Sequence, residues 1–151
     1  MKETFEITQT SRNLLNRLIE NLSLEQLNAI PSGFNNNIIW NIGHIIVVQQ
    51  MLVYNLSGLP MQVDADLVSK YKKGTRPTQP VIEAEVALLK ELLFTTVKQT
   101  ESDFEAGLFK NFTEYTVMTG FVIKNASDAI AFNYYHEALH TGVIMSLRKF
   151  V

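Results

Sequence analysis

The chain has 151 residues, enough for one domain, and a compact domain of that size buries roughly two-thirds of the surface its unfolded form exposes. Apolar residues make up 46% and charged residues 19%, which excludes the low-hydrophobicity composition of a disordered chain. The formal net charge is −2, with lysines and arginines scattered outside residues 70–76, so there is no basic stripe for tracking phosphates and nucleic acid is not an expected partner.

The absence of cysteine excludes a disulfide and restricts any metal site to nitrogen and oxygen ligands. A thiolate, if the chemistry needs one, has to arrive on a small molecule. Residues 1–10 are polar and mixed in charge, unlike an export signal. The longest apolar run, 42–56, carries His44, Gln49, Gln50 and Asn55, too short and too polar to span a bilayer. The expected location is therefore cytoplasmic.

The first helix is marked by Leu14, Leu15, Leu18, Ile19 and Leu22 at three-and-four spacing. Ser23 and Gln26 are spaced as a capping box for a short helical turn, which Pro31 and Gly33 end. Asn35 or Asn36 is the expected cap of a second helix that reaches about Leu56 and is apolar nearly all round, from Ile38 and Ile39 to Met51 and Leu52. Such a helix has to be covered on several sides, by a central place in the bundle or by a subunit interface.

A long connection over 57–79, with Gly58, Pro60, Gly74 and Pro77, reads as a crossover or a functional loop. Thr78 is the expected cap of the third helix, with Pro80 in its first turn and Ile82, Val86, Leu89, Leu93 and Val97 as its inward stripe. Over 103–125 the near alternation of Phe112, Thr113, Tyr115, Val117, Thr119 and Phe121 predicts an extended loop or short hairpin. Ser127 then caps a fourth helix with Phe132, Leu139, Val143 and Leu147 inward. The fold expected is all-α, a four-helix bundle forming a single domain over 1–151, with the long connection between helices two and three and the extended segment before helix four.

His136 and His140 stand four residues apart on the fourth helix, so one turn stacks both imidazoles on the same face. His44 lies in the apolar second helix. Burying three imidazoles without partners would cost roughly 1–3 kcal/mol each in lost solvation, and one shared cation removes that cost for all three. The competing reading is a set of core histidines held by ordinary hydrogen bonds. What favours a metal is that the entire histidine content of the chain sits on two apolar helices. Three imidazoles leave a coordination position open, the pattern of a catalytic site, and suit zinc best, with nickel, iron or manganese as alternatives.

The run His136-Glu137-Ala138-Leu139-His140 also matches the H-E-x-x-H signature of zinc proteases. Here the eleven residues after His140 contain neither an acid nor a histidine, and the longer protease form fails at Val143 and Ser146. Glu137 is nevertheless a candidate base toward a metal-activated group, against the reading of a solvated or helix-pairing carboxylate. Asn133 shares the helical face of the two histidines and Trp40 stands one turn before His44, so both are pocket candidates, with plain packing as the alternative. Arg76, in the loop of residues 72–77, is the candidate for an anionic substrate group, against the reading of a solvated basic loop.

Asn41-Ile42-Gly43-His44, Gly74-Thr75-Arg76-Pro77 and the segment from His136 through His140 to Thr141 and Gly142 together resemble the DinB-like superfamily, in order and over essentially the whole chain. That resemblance implies a four-helix bundle, a divalent metal held by His44, His136 and His140, and frequently a homodimer. It also implies an S-transferase or isomerase acting on a small molecule with a low-molecular-weight thiol as cosubstrate, which agrees with a chain that has no cysteine. Val143 departs from the pattern, standing where many relatives carry a glutamine.

Overall fold

The computed structural model describes all 151 residues. Helix α1, Lys2–Ile19, begins well before the leucine cluster, because its buried stripe runs Phe5, Thr8, Arg12, Leu15 and Ile19. The two polar members, Thr8 and Arg12, hide the first half of that stripe from a hydrophobicity reading, and Leu14 is left at the surface. Helix α2, Leu24–Asn28, follows the expected capping box, with Ser23 Oγ accepting from Gln26 N at 3.1 Å and Gln26 Oε1 accepting from Ser23 N at 2.9 Å.

Helix α3, Ile38–Val53, is capped by Asn37 and not by Asn35 or Asn36; the Asn37 carboxamide oxygen accepts from Trp40 N at 2.9 Å. The helix ends at a 3₁₀ turn over Asn55–Ser57. It packs within the chain against α2, α5, α6 and a further helix described below, so its apolar circumference is covered by a central position in the bundle. Each of its fully buried isoleucines, among them Ile38, Ile42, Ile45 and Ile46, stabilises the fold by about 1.5–3 kcal/mol through removal from water.

The long connection contains a helix that the sequence pattern did not suggest, α4, Ala65–Tyr71, capped by Asp64 Oδ1 accepting from Leu67 N at 2.8 Å. Seven residues are too few to show a helical period, although Leu67 and Tyr71, four apart, are its buried pair. Helix α5, Glu83–Glu105, starts later than expected: its N-cap is Ile82, no side chain caps it, and Thr78 and Pro80 lie outside it. Val81 is buried in place of Ile82, which at the cap position is 67% exposed.

Strands β1, Tyr115–Thr116, and β2, Val122–Ile123, pair antiparallel as a short hairpin turning at Gly120. Helix α6, Ala126–Leu147, is capped by Asn125, whose Oδ1 accepts from Asp128 N at 2.9 Å, so Ser127 falls inside the first turn. Leu147 is fully buried and Val143 packs against the core as expected, but Leu139 is 53% exposed. The four long helices α1, α3, α5 and α6 form the bundle, with α3 and α6 in the most extensive contact. No helix is long and apolar enough to cross a membrane.

Candidate metal centre

The α3–α6 contact brings the three histidines to one point. Their ring centroids are 5.2 Å (His44 to His136), 4.7 Å (His44 to His140) and 4.6 Å (His136 to His140) apart, and one nitrogen from each lies within 4.8 Å of the others. His44 comes from the middle of α3, and the four-residue spacing on α6 delivers the other two.

Two of the rings are oriented by groups behind them. His44 Nδ1 lies 2.6 Å from the Tyr71 carbonyl oxygen at the end of α4, and donates to it. His140 Nδ1 donates to the Asn41 carboxamide oxygen at 2.7 Å. The Asn41 amide is itself fixed, since its Nδ2 donates to Asn36 Oδ1 at 3.0 Å and to Asn37 O at 2.7 Å, leaving the oxygen as the acceptor. Both histidines thereby keep Nε2 free for a cation, and backing of this kind is the usual way a ligating imidazole is oriented. Trp40 adds a wall, its ring stacked on His44 at 4.6 Å and 15°.

Gly43 makes the Tyr71 support geometrically feasible. A Cβ at that position would stand 2.5 Å from Tyr71 Cδ1, so only glycine lets the tyrosine ring lie against α3 beside His44. The phenol hydroxyl of Tyr71 donates to Glu85 on α5, which anchors the far end of the ring.

Electrostatics keep the rings neutral. Burial lowers the pKa of His44 against a smaller opposing effect of its bond to Tyr71. Burial, then the neighbouring His140, His44 and Arg12, lower His136 to about 3, and burial with His44 beside it lowers His140 to about 4. Uncharged imidazoles are the form that binds metals. His136 Nδ1 is moreover buried with no hydrogen-bond partner. Three neutral, converging, mutually unbonded imidazoles fit a divalent cation, and His44, His136 and His140 are the residues that would hold one.

The rings open on a pocket of about 420 Å³ lined mainly by apolar side chains, including Met51, Phe132, Tyr135 and Leu139, with Val117 and Met118 from the hairpin. The exposure of Leu139 is thus exposure to this pocket's opening. Lys73 is the one side chain of fixed charge in the lining, and no carboxylate is among the lining residues.

The other sequence candidates lie elsewhere. Glu137 is fully buried and turned away from the pocket: its Oε2 and Oε1 take Arg12 Nε at 2.8 Å and Nη2 at 2.6 Å, and Oε1 also takes Asn133 Nδ2 at 2.6 Å. With both oxygens engaged by Arg12 and Asn133, and with Glu137 absent from the pocket lining, the geometry does not favour it as a base. Asn133 faces the interior void with Phe5, Thr8 and Gln49 and is not in the histidine pocket. Arg76 and Trp40 line a separate cleft and not the histidine pocket, although the Trp40 ring stacks on His44. Sequence reasoning missed Arg12, Tyr71 and the role of Asn41 and Gly43. Arg12 had a signal, its place in the three-and-four stripe between Thr8 and Leu15.

A helical bundle that gathers three histidines from two of its long helices at the base of an apolar pocket defines a candidate mononuclear metal protein. The chain belongs to the DinB superfamily, whose model matches residues 7–144. Among solved structures it is similar to YfiT from Bacillus subtilis, described as a probable metal-dependent hydrolase with an unusual four-helix bundle topology. That likeness has a TM-score of 0.55 at 16% identity and covers 98% of this chain and 85% of the other, which shows the shared fold. Among curated protein sequences none matches.

Proposed function

We propose that the protein is a divalent-metal enzyme that joins a low-molecular-weight thiol to a small apolar electrophile. The observation that carries this reading is the chemistry around the histidine cluster, a pocket of apolar side chains with no carboxylate in its lining. A cation on His44, His136 and His140, with zinc the best match to an all-imidazole set, would act as a Lewis acid that lowers the pKa of a bound thiol.

The protein's own groups do the rest. Asn41 and Tyr71 hold two rings in the ligating orientation, while Phe132, Met51 and Leu139 shield the reacting sulfur and carbon from water. Lys73 supplies a positive charge for an anionic group of the thiol or for the departing anion. In the reaction the sulfur–carbon bond forms as the bond from carbon to its leaving group breaks, and the thiol proton passes to solvent. A chain without cysteine takes its sulfur nucleophile from such a cosubstrate.

Hydrolysis is the rival reading, favoured by the description of YfiT. It calls for proton transfer to a leaving group, and the nearest candidate, Glu137, is locked to Arg12. Untagged, metal-loaded protein supplied with glutathione, bacillithiol or coenzyme A and monochlorobimane is expected to turn over only when both metal and thiol are present. Ester or amide hydrolysis without thiol, and no metal-dependent conjugation with any thiol, would replace this reading by the hydrolase.

A further inference from the structure

A second cleft, also of about 420 Å³, lies against the bundle between the start of α3, the end of α4 and the segment 74–79. None of its lining residues lines the histidine pocket. Its volume is within the range of small-molecule sites.

The cleft has one face of each chemistry. Ile39, Trp40 and Val81, all buried, give it an apolar floor. Arg76 supplies an exposed guanidinium, and Thr78 and Gln79 are exposed polar neighbours in the same lining. The other cation there, Lys70, is neutralised by Glu85, whereas Arg76 has no carboxylate within ion-pair distance, and no acid is among the lining residues. An uncompensated guanidinium above an apolar floor matches a carboxylate or phosphate oxyanion carried on an apolar body.

We propose that this cleft is a second ligand site, distinct from the metal centre, for a small molecule bearing a phosphate or carboxylate on an apolar ring or chain. The anionic group pairs with Arg76, and the apolar body lies on Trp40 and Ile39. Trp40 gives the site its own reporter, because it is the one tryptophan in the chain and its ring is stacked on His44. An occupant of the cleft therefore touches a residue that also touches the metal centre.

Trp40 fluorescence of the metal-free protein, titrated separately with phenyl phosphate, benzoate and neutral benzyl alcohol, tests the assignment. Saturable changes are expected with at least one of the two anions and not with the alcohol, and the comparison of phenyl phosphate with benzoate tells which oxyanion the site prefers. Arg76→Ala is expected to weaken the anion about tenfold or more, the loss of one charge-assisted hydrogen-bonded contact. His140→Ala is expected to leave it unchanged, which separates the cleft from the metal pocket. Absence of saturation with both anions, equal binding by Arg76→Ala, or loss of binding in His140→Ala would overturn the proposal.

Discussion

Arg12 carries a fully buried charge whose three contacts are the two oxygens of Glu137 and, through Nη1, the Leu93 carbonyl at 3.0 Å. The pair joins α1 to α6 one residue from His136, and its geometry assigns Glu137 a positioning task in place of acid–base work. Breaking a buried pair by removing one partner strands the other, so Arg12→Leu is expected to lower unfolding free energy by about 3–5 kcal/mol in urea denaturation. Glu137→Gln strands the Arg12 charge in the same way and is expected to cost a similar amount, while leaving metal affinity by calorimetry as in the wild type. A Glu137→Gln variant with normal stability and abolished turnover would restore the carboxylate as a base. This contrast also explains what could be read from residues alone. His136 and His140 are legible because the relation that matters is four positions long, whereas the partner of Arg12 lies 125 positions away and no local pattern names it.

At the scale of elements, the metal centre depends on how closely α3 and α4 approach. The Gly43→Ala change would drive a methyl into the Tyr71 ring, and Tyr71 is the residue whose carbonyl holds His44. Loss of such backing typically weakens metal binding 10–100-fold, and a drop of about tenfold or more is expected for Gly43→Ala by competition with a chromophoric chelator. Gly142→Ala is the control, since a Cβ there meets nothing within 4 Å, and the exchange in a helix interior is expected to stabilise by up to about 1 kcal/mol. Equal metal affinity in both variants would remove Tyr71 from the account. The apolar circumference of α3 is legible as a helix demanding cover on several sides, and the alternating run before α6 as an extended loop or short hairpin. The helix that supplies Tyr71 is not, because α4 is shorter than two full periods, and the caps of α3 and α6 are displaced by one or two positions where several asparagines and serines compete for the same task.

For the molecule as a whole, the three neutral rings tie stability to pH. His136 and His140 bind protons in the folded state only near pH 3 and 4, while their ordinary value is 6.5. Between those limits the unfolded chain holds more protons than the folded one, so unfolding free energy rises with pH. Metal-free protein is therefore expected to have its full stability above about pH 6.5 and to lose it steadily as pH falls toward 4, read as the urea midpoint across that window. His136→Leu is expected to flatten the profile; an unchanged slope would mean that other groups govern the acid response.

The same cluster ties stability to metal, because its ligands come from α3 and α6, separated by some 90 positions of chain yet in the most extensive helix contact of the bundle. A cation that binds only the folded arrangement stabilises it by about 2.7 kcal/mol at a free concentration a hundred times its dissociation constant. For a chain of this length that corresponds to roughly 5–10 °C in midpoint temperature. Calorimetric scans of metal-free protein with added zinc are expected to show this upward shift, growing with the logarithm of free zinc. His140→Ala is expected to fold without it, since two imidazoles remain and the third contact is gone. A wild-type midpoint that ignores zinc, nickel, iron and manganese alike would mean that the three rings meet only as packed core side chains, and the enzymatic reading would fall with the metal.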